Sequence, residues 1–136
     1  MRVTEASFKT AVFTLHVRTS TAPEFVDITD RVLEDIRASD IRNGLALIYS
    51  KHTTAAIKIQ ENEPLLLEDM ARMLEQFAPQ NGEYRHNDFA TRTVHMNEDE
   101  CPNGHSHCQH LILSTSETVP VIDGTVPLGQ YQRIFL

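Results

Sequence analysis

The sequence predicts an α+β fold with mostly antiparallel strand pairing. Three observations point there. Short aliphatic and β-branched runs recur near both ends of the chain, and two stretches between them carry apolar residues at helical spacing. Their order puts several strands next to one another rather than alternating each with a helix.

Taken in order, Phe8 to Arg18 contains Val12, Phe13, Thr14, Leu15 and Val17 and reads as a strand. Asp27 and Thr29 offer N-cap oxygens ahead of Val32, Leu33 and Ile36, whose spacing predicts a helix over about 28–39. Asn43-Gly44 marks a turn. Leu45 to Tyr49 is a short apolar run that reads as a buried strand, and Ala55 to Gln60 alternates around Ile57 and Ile59 as the next. Pro64 suits the first position of a helix, with Asn62 or Glu63 before it. Leu66, Leu67, Met70, Met73, Leu74 and Phe77 continue that helix until Pro79 and Asn81-Gly82. Leu33 and Ile36 of the first helix and Met70 and Leu74 of the second are the expected inward residues. From Glu83 to His105 the chain is polar and weakly periodic, the mark of a functional or disordered loop. His107 to Leu113, Thr118 to Ile122 and Gln130 to Leu136 read as three strands, with Asp123-Gly124 as a hairpin turn between the last two. The sum is about six strands and two helices.

The 136 residues fit one domain, spanning 1–136, that buries enough surface to fold unaided. The formal net charge of −7 argues against a general nucleic-acid binder, which needs a basic face. It gives no reason to expect an anionic membrane, and no apolar run approaches a membrane span. Two cysteines, Cys101 and Cys108, are too few for a secreted disulfide framework. The N-terminus lacks a signal pattern, so the expected location is the cytoplasm with reduced thiols.

Seven histidines are many for this length. Four lie in polar clusters: His52 in Lys51-His52-Thr53-Thr54, His86 in Tyr84-Arg85-His86-Asn87, and His105 and His107 in Asn103-Gly104-His105-Ser106-His107. Neutral imidazole is the commonest protein metal ligand, and three imidazoles with an open fourth position make a catalytic-type zinc site. On a strand, residues two apart share a face, so His105 and His107 would reach one ion. The alternative is that these are hydrogen-bonded or surface histidines of loops. His16, His95 and His110 read as structural or edge positions. Gln60-Glu61-Asn62-Glu63 places acids at a strand-to-helix junction, where Glu61 is either a general base, a partner orienting a histidine, or simply part of the helix start. Asp99-Glu100 reads as a solvated loop. Ser114-Thr115-Ser116 offers hydroxyls either to a phosphate or to a turn.

Four segments in register carry a resemblance: His52-Thr53-Thr54-Ala55-Ala56-Ile57 with Gln60-Glu61-Asn62-Glu63-Pro64; Tyr84-Arg85-His86-Asn87; Asn103-Gly104-His105-Ser106-His107-Cys108-Gln109; and Thr118-Val119-Pro120-Val121 with Gly124 and Leu128-Gly129-Gln130-Tyr131-Gln132-Arg133-Ile134. Over nearly the whole chain they resemble the YjbQ-like family, whose members are often labelled secondary thiamine-phosphate synthase enzymes. The resemblance implies an antiparallel β-sandwich-like core with the two main helices packed on it, a homotrimer, and a histidine-lined site for a divalent metal, zinc by preference. Carried over by position, His52, His86 and His107 are the metal ligands, with His105, Asn87, Thr53 and Asn62 as additional site residues; Glu61 is then the catalytic residue, as base or as the partner that orients a histidine. The substrate so implied is a small phosphorylated metabolite, and the named reaction joins a pyrimidine pyrophosphate to a thiazole phosphate. A non-catalytic metal- or small-molecule-binding trimer is the alternative. The family commonly has tryptophan where Tyr131 stands and a small residue where His110 stands.

Overall fold

A computed structural model describes residues 8–136. The order is α1 (Thr29–Ala38), β1 (Gly44–Tyr49), β2 (Lys58–Glu61), α2 (Pro64–Phe77), a 3-10 turn at Arg85–Asn87, α3 (Gly104–Leu111), β3 (Ser116–Val121) and β4 (Gln132–Phe135). β1 pairs antiparallel with β3, from Gly44 opposite Val121 to Tyr49 opposite Ser116. β2 pairs antiparallel with β4, from Lys58 opposite Phe135 to Glu61 opposite Gln132. Two bonds past the end of the first ladder, Ser50 N–H to the Thr115 carbonyl and Ile57 N–H to the Ser114 carbonyl, lead the chain from one ladder into the other. Residues 26–28 bond the outer edge of β4 through Val26, Ile28, Ile134 and Leu136. The fold is therefore α+β with antiparallel pairing, as the sequence predicts.

The ladders and α1 share one core. It is built from Ile28, Val32, Ile36, Ile57, Val119, Val121, Val126 and Ile134, with Leu15, Val17, Leu33, Ala46 and Ile48 packed against its margin. α1 turns Val32 and Ile36 inward, as 3.6-residue periodicity requires. Its start is held from outside the helix. Asp27 Oδ1 accepts from the Thr29 N–H at 3.0 Å and from the Thr29 hydroxyl at 2.6 Å, and that hydroxyl in turn accepts the Ile134 N–H at 2.7 Å. α2 begins where proline at the first position predicts, with the Glu63 carboxylate accepting from the Leu65 and Leu66 N–H groups. Only Leu74 of α2 is buried; Met70 and, in α1, Leu33 are half-buried.

Four expectations need correction. Residues 107–113 are not a strand. Residues 107–111 belong to α3, which Asn103 and Gly104 open, and the apolar run Leu111-Ile112-Leu113 that suggested a strand straddles its end, with Leu111 and Ile112 exposed. The residue that packs this helix is polar: buried Gln109 donates to the Ala78 carbonyl, which the end of α2 leaves free, and to the Leu74 carbonyl, which also accepts the Ala78 N–H. Residues 8–18 enter no ladder; Leu15 and Val17 touch the core, whereas Phe8 and Val12 are exposed. β1 forms where expected, but Leu45, Leu47 and Tyr49 face solvent at 77%, 66% and 60% exposure, and only Ala46 and Ile48 point inward. Asp123-Gly124 does make a tight turn, with both residues at positive φ and Ile122 bonded to Thr125, but it does not pair β3 with β4.

Arg133 Nε donates to Asp27 Oδ2 at 2.7 Å and Asn62 Nδ2 donates to the same oxygen at 2.9 Å. Burial pushes the Asp27 carboxyl up, but the hydrogen bonds from Arg133, Thr29 and Asn62 outweigh it and bring the group from 3.8 to about 2. A depressed carboxyl contributes stability that is present above its unfolded pKa and lost as pH falls through its folded one. Denaturant unfolding between pH 4 and 2 should therefore show falling stability, and Asp27→Asn should flatten that limb and be less stable than wild type at pH 7. An unchanged acid limb in the variant would count against this assignment.

Candidate functional site

The chain gathers its functional side chains where the 3-10 turn meets the first turns of α3. Gly104 makes the approach feasible. A Cβ there would lie 2.6 Å from the Tyr84 Cβ, so any other residue would push the helix off the turn. The Gly104 N–H donates to Asn87 Oδ1 at 2.9 Å, which satisfies one of the free N–H groups of the helix start and fixes its distance from the turn. With turn and helix pinned, His86 and His107 face each other edge to face, ring centroids 4.6 Å apart.

Beside them lies an ion pair. The Arg92 guanidinium sits on the Glu100 carboxylate, and both side chains are largely buried, at 15% and 12% exposure. Arg92 also donates to the His86 carbonyl at 3.4 Å and the His95 carbonyl at 2.9 Å, and Glu100 Oε2 accepts the Asn97 N–H at 3.2 Å. These bonds brace an otherwise irregular loop. His86 Nε2 is buried, has no hydrogen-bond partner among the described residues, and stands 3.9 Å from Glu100 Oε1. Together with Thr53, Arg85, Thr91 and Asn103 these groups line a cleft of about 850 Å³.

The electrostatics divide the roles. Burial lowers the His107 pKa, and the neighbouring charges of His86, Arg92 and His110 lower it further against the opposing pull of Glu100. Glu100 is held below the usual carboxylate range, first by its hydrogen bond from Arg92 and against its own burial. The site thus pairs a neutral imidazole with an ionised carboxylate at neutral pH. That combination serves proton transfer or cation binding.

The structure brings together some of the sequence candidates and separates others. His86, His107 and Thr53 line the cleft, and Asn87 shapes it from below. His52 is exposed on the 50–57 connection, next to Thr53 but outside the lining. Glu61 is half-buried at the end of β2 and Asn62 is tied to Asp27; neither reaches the cleft. His105 and His107 do not share a face. On a helix, residues two apart diverge by about 200°. His105 is accordingly buried on the other side, with Nε2 at 3.1 Å from the Ser106 hydroxyl and Tyr84 as neighbour. Among the described residues no three His, Cys, Asp or Glu side chains converge as a metal-holding group. The sequence reading passes over Arg92, takes Glu100 for part of a solvated loop and takes His95 for a structural or edge position, whereas all three line the cleft. An Arg and a Glu eight positions apart in an aperiodic loop give no local signal of pairing.

The model of the family described as UPF0047 protein YjbQ-like matches residues 13–136. The chain belongs to the YjbQ-like family. A UPF0047 protein of Methanothermobacter thermautotrophicus is 41% identical over 121 residues, which cover 89% of this chain and 77% of that protein. One from Archaeoglobus fulgidus is 35% identical, covering 88% of this chain and 84% of the other. The crystal structure of a YbjQ-like protein of unknown function from Sulfolobus solfataricus superposes with a TM-score of 0.76 at 33% identity, covering 88% of this chain and 78% of that one. The whole cleft of this YjbQ-like chain, Thr53 to His107, falls inside the matched region.

Because folding disfavours the charged form of His107, stability tied to it is present above the ordinary imidazole value of 6.5 and is lost as pH falls below it. In an NMR titration the His107 midpoint should lie below 6.5, and His86→Asn should move it upward. A midpoint at or above 6.5 in the wild type would contradict the described environment.

Proposed function

We propose that the cleft is a metal-assisted active site for a small phosphorylated metabolite, with His86 and His107 holding a divalent ion, zinc by preference. The observation that carries this reading is the edge-to-face histidine pair with a buried, unpartnered His86 Nε2. Leaving such a nitrogen without a partner costs about 1–3 kcal/mol, which an ion would offset. The donor chemistry fits, since the pair is soft enough for zinc and His107 is kept in the neutral, ligating form. When bound, the ion would supply Lewis acidity toward a phosphate oxygen. Arg85, Arg92 and the Thr53 and Thr91 hydroxyls supply the cationic and polar lining suited to a phosphate. Transfer of the thiamine-phosphate-synthase type, suggested by the family resemblance, is one reaction of this class.

A non-catalytic binding module is the second reading, favoured by the finding that among the described residues no three His, Cys, Asp or Glu side chains converge as a metal-holding group. Under either reading we propose a homotrimer. The exposed row Leu45, Leu47 and Tyr49 supports it, because an apolar strip of that kind normally meets a partner. We place the protein in the cytoplasm, with Cys101 and Cys108 as free thiols. No helix among the described residues is long and apolar enough to cross a membrane.

Calorimetric titration of metal-free protein with zinc should show binding that His107→Ala weakens roughly tenfold or more and His16→Ala leaves unchanged. Binding should weaken below about pH 6.5 as the imidazoles protonate. Zinc binding that survives His107→Ala intact would reject the metal reading. Light scattering should give a mass near three times 15.4 kDa; a monomer at every concentration would reject the trimer.

A further inference from the structure

We infer that Glu100, rather than His52, is the third ion-binding side chain of the cleft, and that Arg92, on giving up Glu100, receives the phosphate of the substrate. The inference rests on the metal reading above and extends it to residues which neither the sequence motifs nor the family resemblance assign.

The first argument is distance. Zinc lies about 2.0–2.1 Å from imidazole nitrogen and 2.0–2.2 Å from carboxylate oxygen, so two such ligands of one ion stand at most about 4.3 Å apart. His86 Nε2 and Glu100 Oε1 are 3.9 Å apart, already within that span with no rearrangement of the loop. His107 abuts His86 on the neighbouring side. Two imidazoles and a carboxylate with open positions form a recurrent catalytic donor set. His52, by contrast, is exposed and outside the cleft lining.

The second argument is competition. The Glu100 carboxylate is occupied by Arg92, and among the described residues no three donors converge as a metal-holding group. A dication entering beside Arg92 repels the guanidinium and competes for the same oxygens. Arg92 has somewhere to remain: its bonds to the His86 and His95 carbonyls hold it at the cleft after Glu100 is released. Freed there, it presents a planar fork to the cleft, the geometry that recognises phosphate. Ion binding thereby creates the anion site. In the ion-free state Glu100 fills the place of the phosphate on Arg92, so a phosphorylated ligand arriving without the ion meets an arginine already paired.

Zinc calorimetry on metal-free protein tests this, followed by titration of inorganic pyrophosphate into each form. Glu100→Gln should weaken zinc about tenfold or more, Glu100→Asp should fall between it and wild type, and His52→Ala should match wild type. Glu100→Asp keeps the charge that pairs with Arg92, so it serves where Glu100→Gln fails to fold. Zinc should tighten pyrophosphate binding to wild type, and Arg92→Gln should abolish that gain while still binding zinc. Unchanged zinc affinity in both Glu100 variants, or its loss in His52→Ala, would overturn the inference while leaving the His86–His107 reading intact. Wild type that binds no zinc would overturn both.

Discussion

The fold depends on one polar knot at Asp27. A single carboxylate takes hydrogen bonds from Thr29, Asn62 and Arg133, and so joins the start of α1, the β2–α2 junction and β4. These segments lie far apart in sequence, so the knot closes long loops whose entropy the apolar core alone must otherwise meet. Thr29, 1% exposed, shows why the arrangement is stringent: its hydroxyl is both donor to Asp27 and acceptor for the buried Ile134 N–H. Removing that oxygen strands a backbone donor beside the most buried side chain of the core, Ile134.

The candidate site inherits its precision from a second set of contacts, at α3. Gly104 admits close approach to Tyr84, Asn87 takes the Gly104 N–H, and Gln109 holds the end of α2. Each contact is a packing or hydrogen-bonding constraint on backbone, so the His86–His107 pair is set by main-chain placement rather than by long flexible side chains. That is the support a preorganised site needs.

The same contrast explains what could be read from the sequence. α2 was legible residue for residue because its start is written locally, with Pro64 at the first position, the Glu63 cap and a long apolar period. α1 was legible within a residue at each end for similar reasons. α3 was not. Its apolar tripeptide looks like a strand, while the interaction that decides its conformation is a polar side chain, Gln109, reaching carbonyls more than thirty residues away. The histidines could be named from the family motifs, but helix or strand decides whether His105 stands with His107, and as a helix the segment turns His105, expected as an additional site residue, away from the cleft. Glu100 read as solvated because nothing near it in sequence signals burial; its partner Arg92 lies in a loop without periodicity.

The position of that ion pair shapes what the cleft can do. A buried Arg–Glu pair contributes little net stability, since the desolvation of two charges offsets most of their attraction. A designed core would do as well with apolar residues there. Here the pair also ties the loop to the His86 carbonyl and borders an open cleft, so its charges remain within reach of a ligand. An acidic protein of net charge −7 has reason to keep a local cation there: without Arg92, Glu100 would add to the field that repels a phosphate. With Arg92 in place the carboxylate is neutralised, and in the exchange we propose only a group of higher charge takes it. Stability is therefore a weak explanation for the pair, and exchange of its partners with ligands is the stronger one.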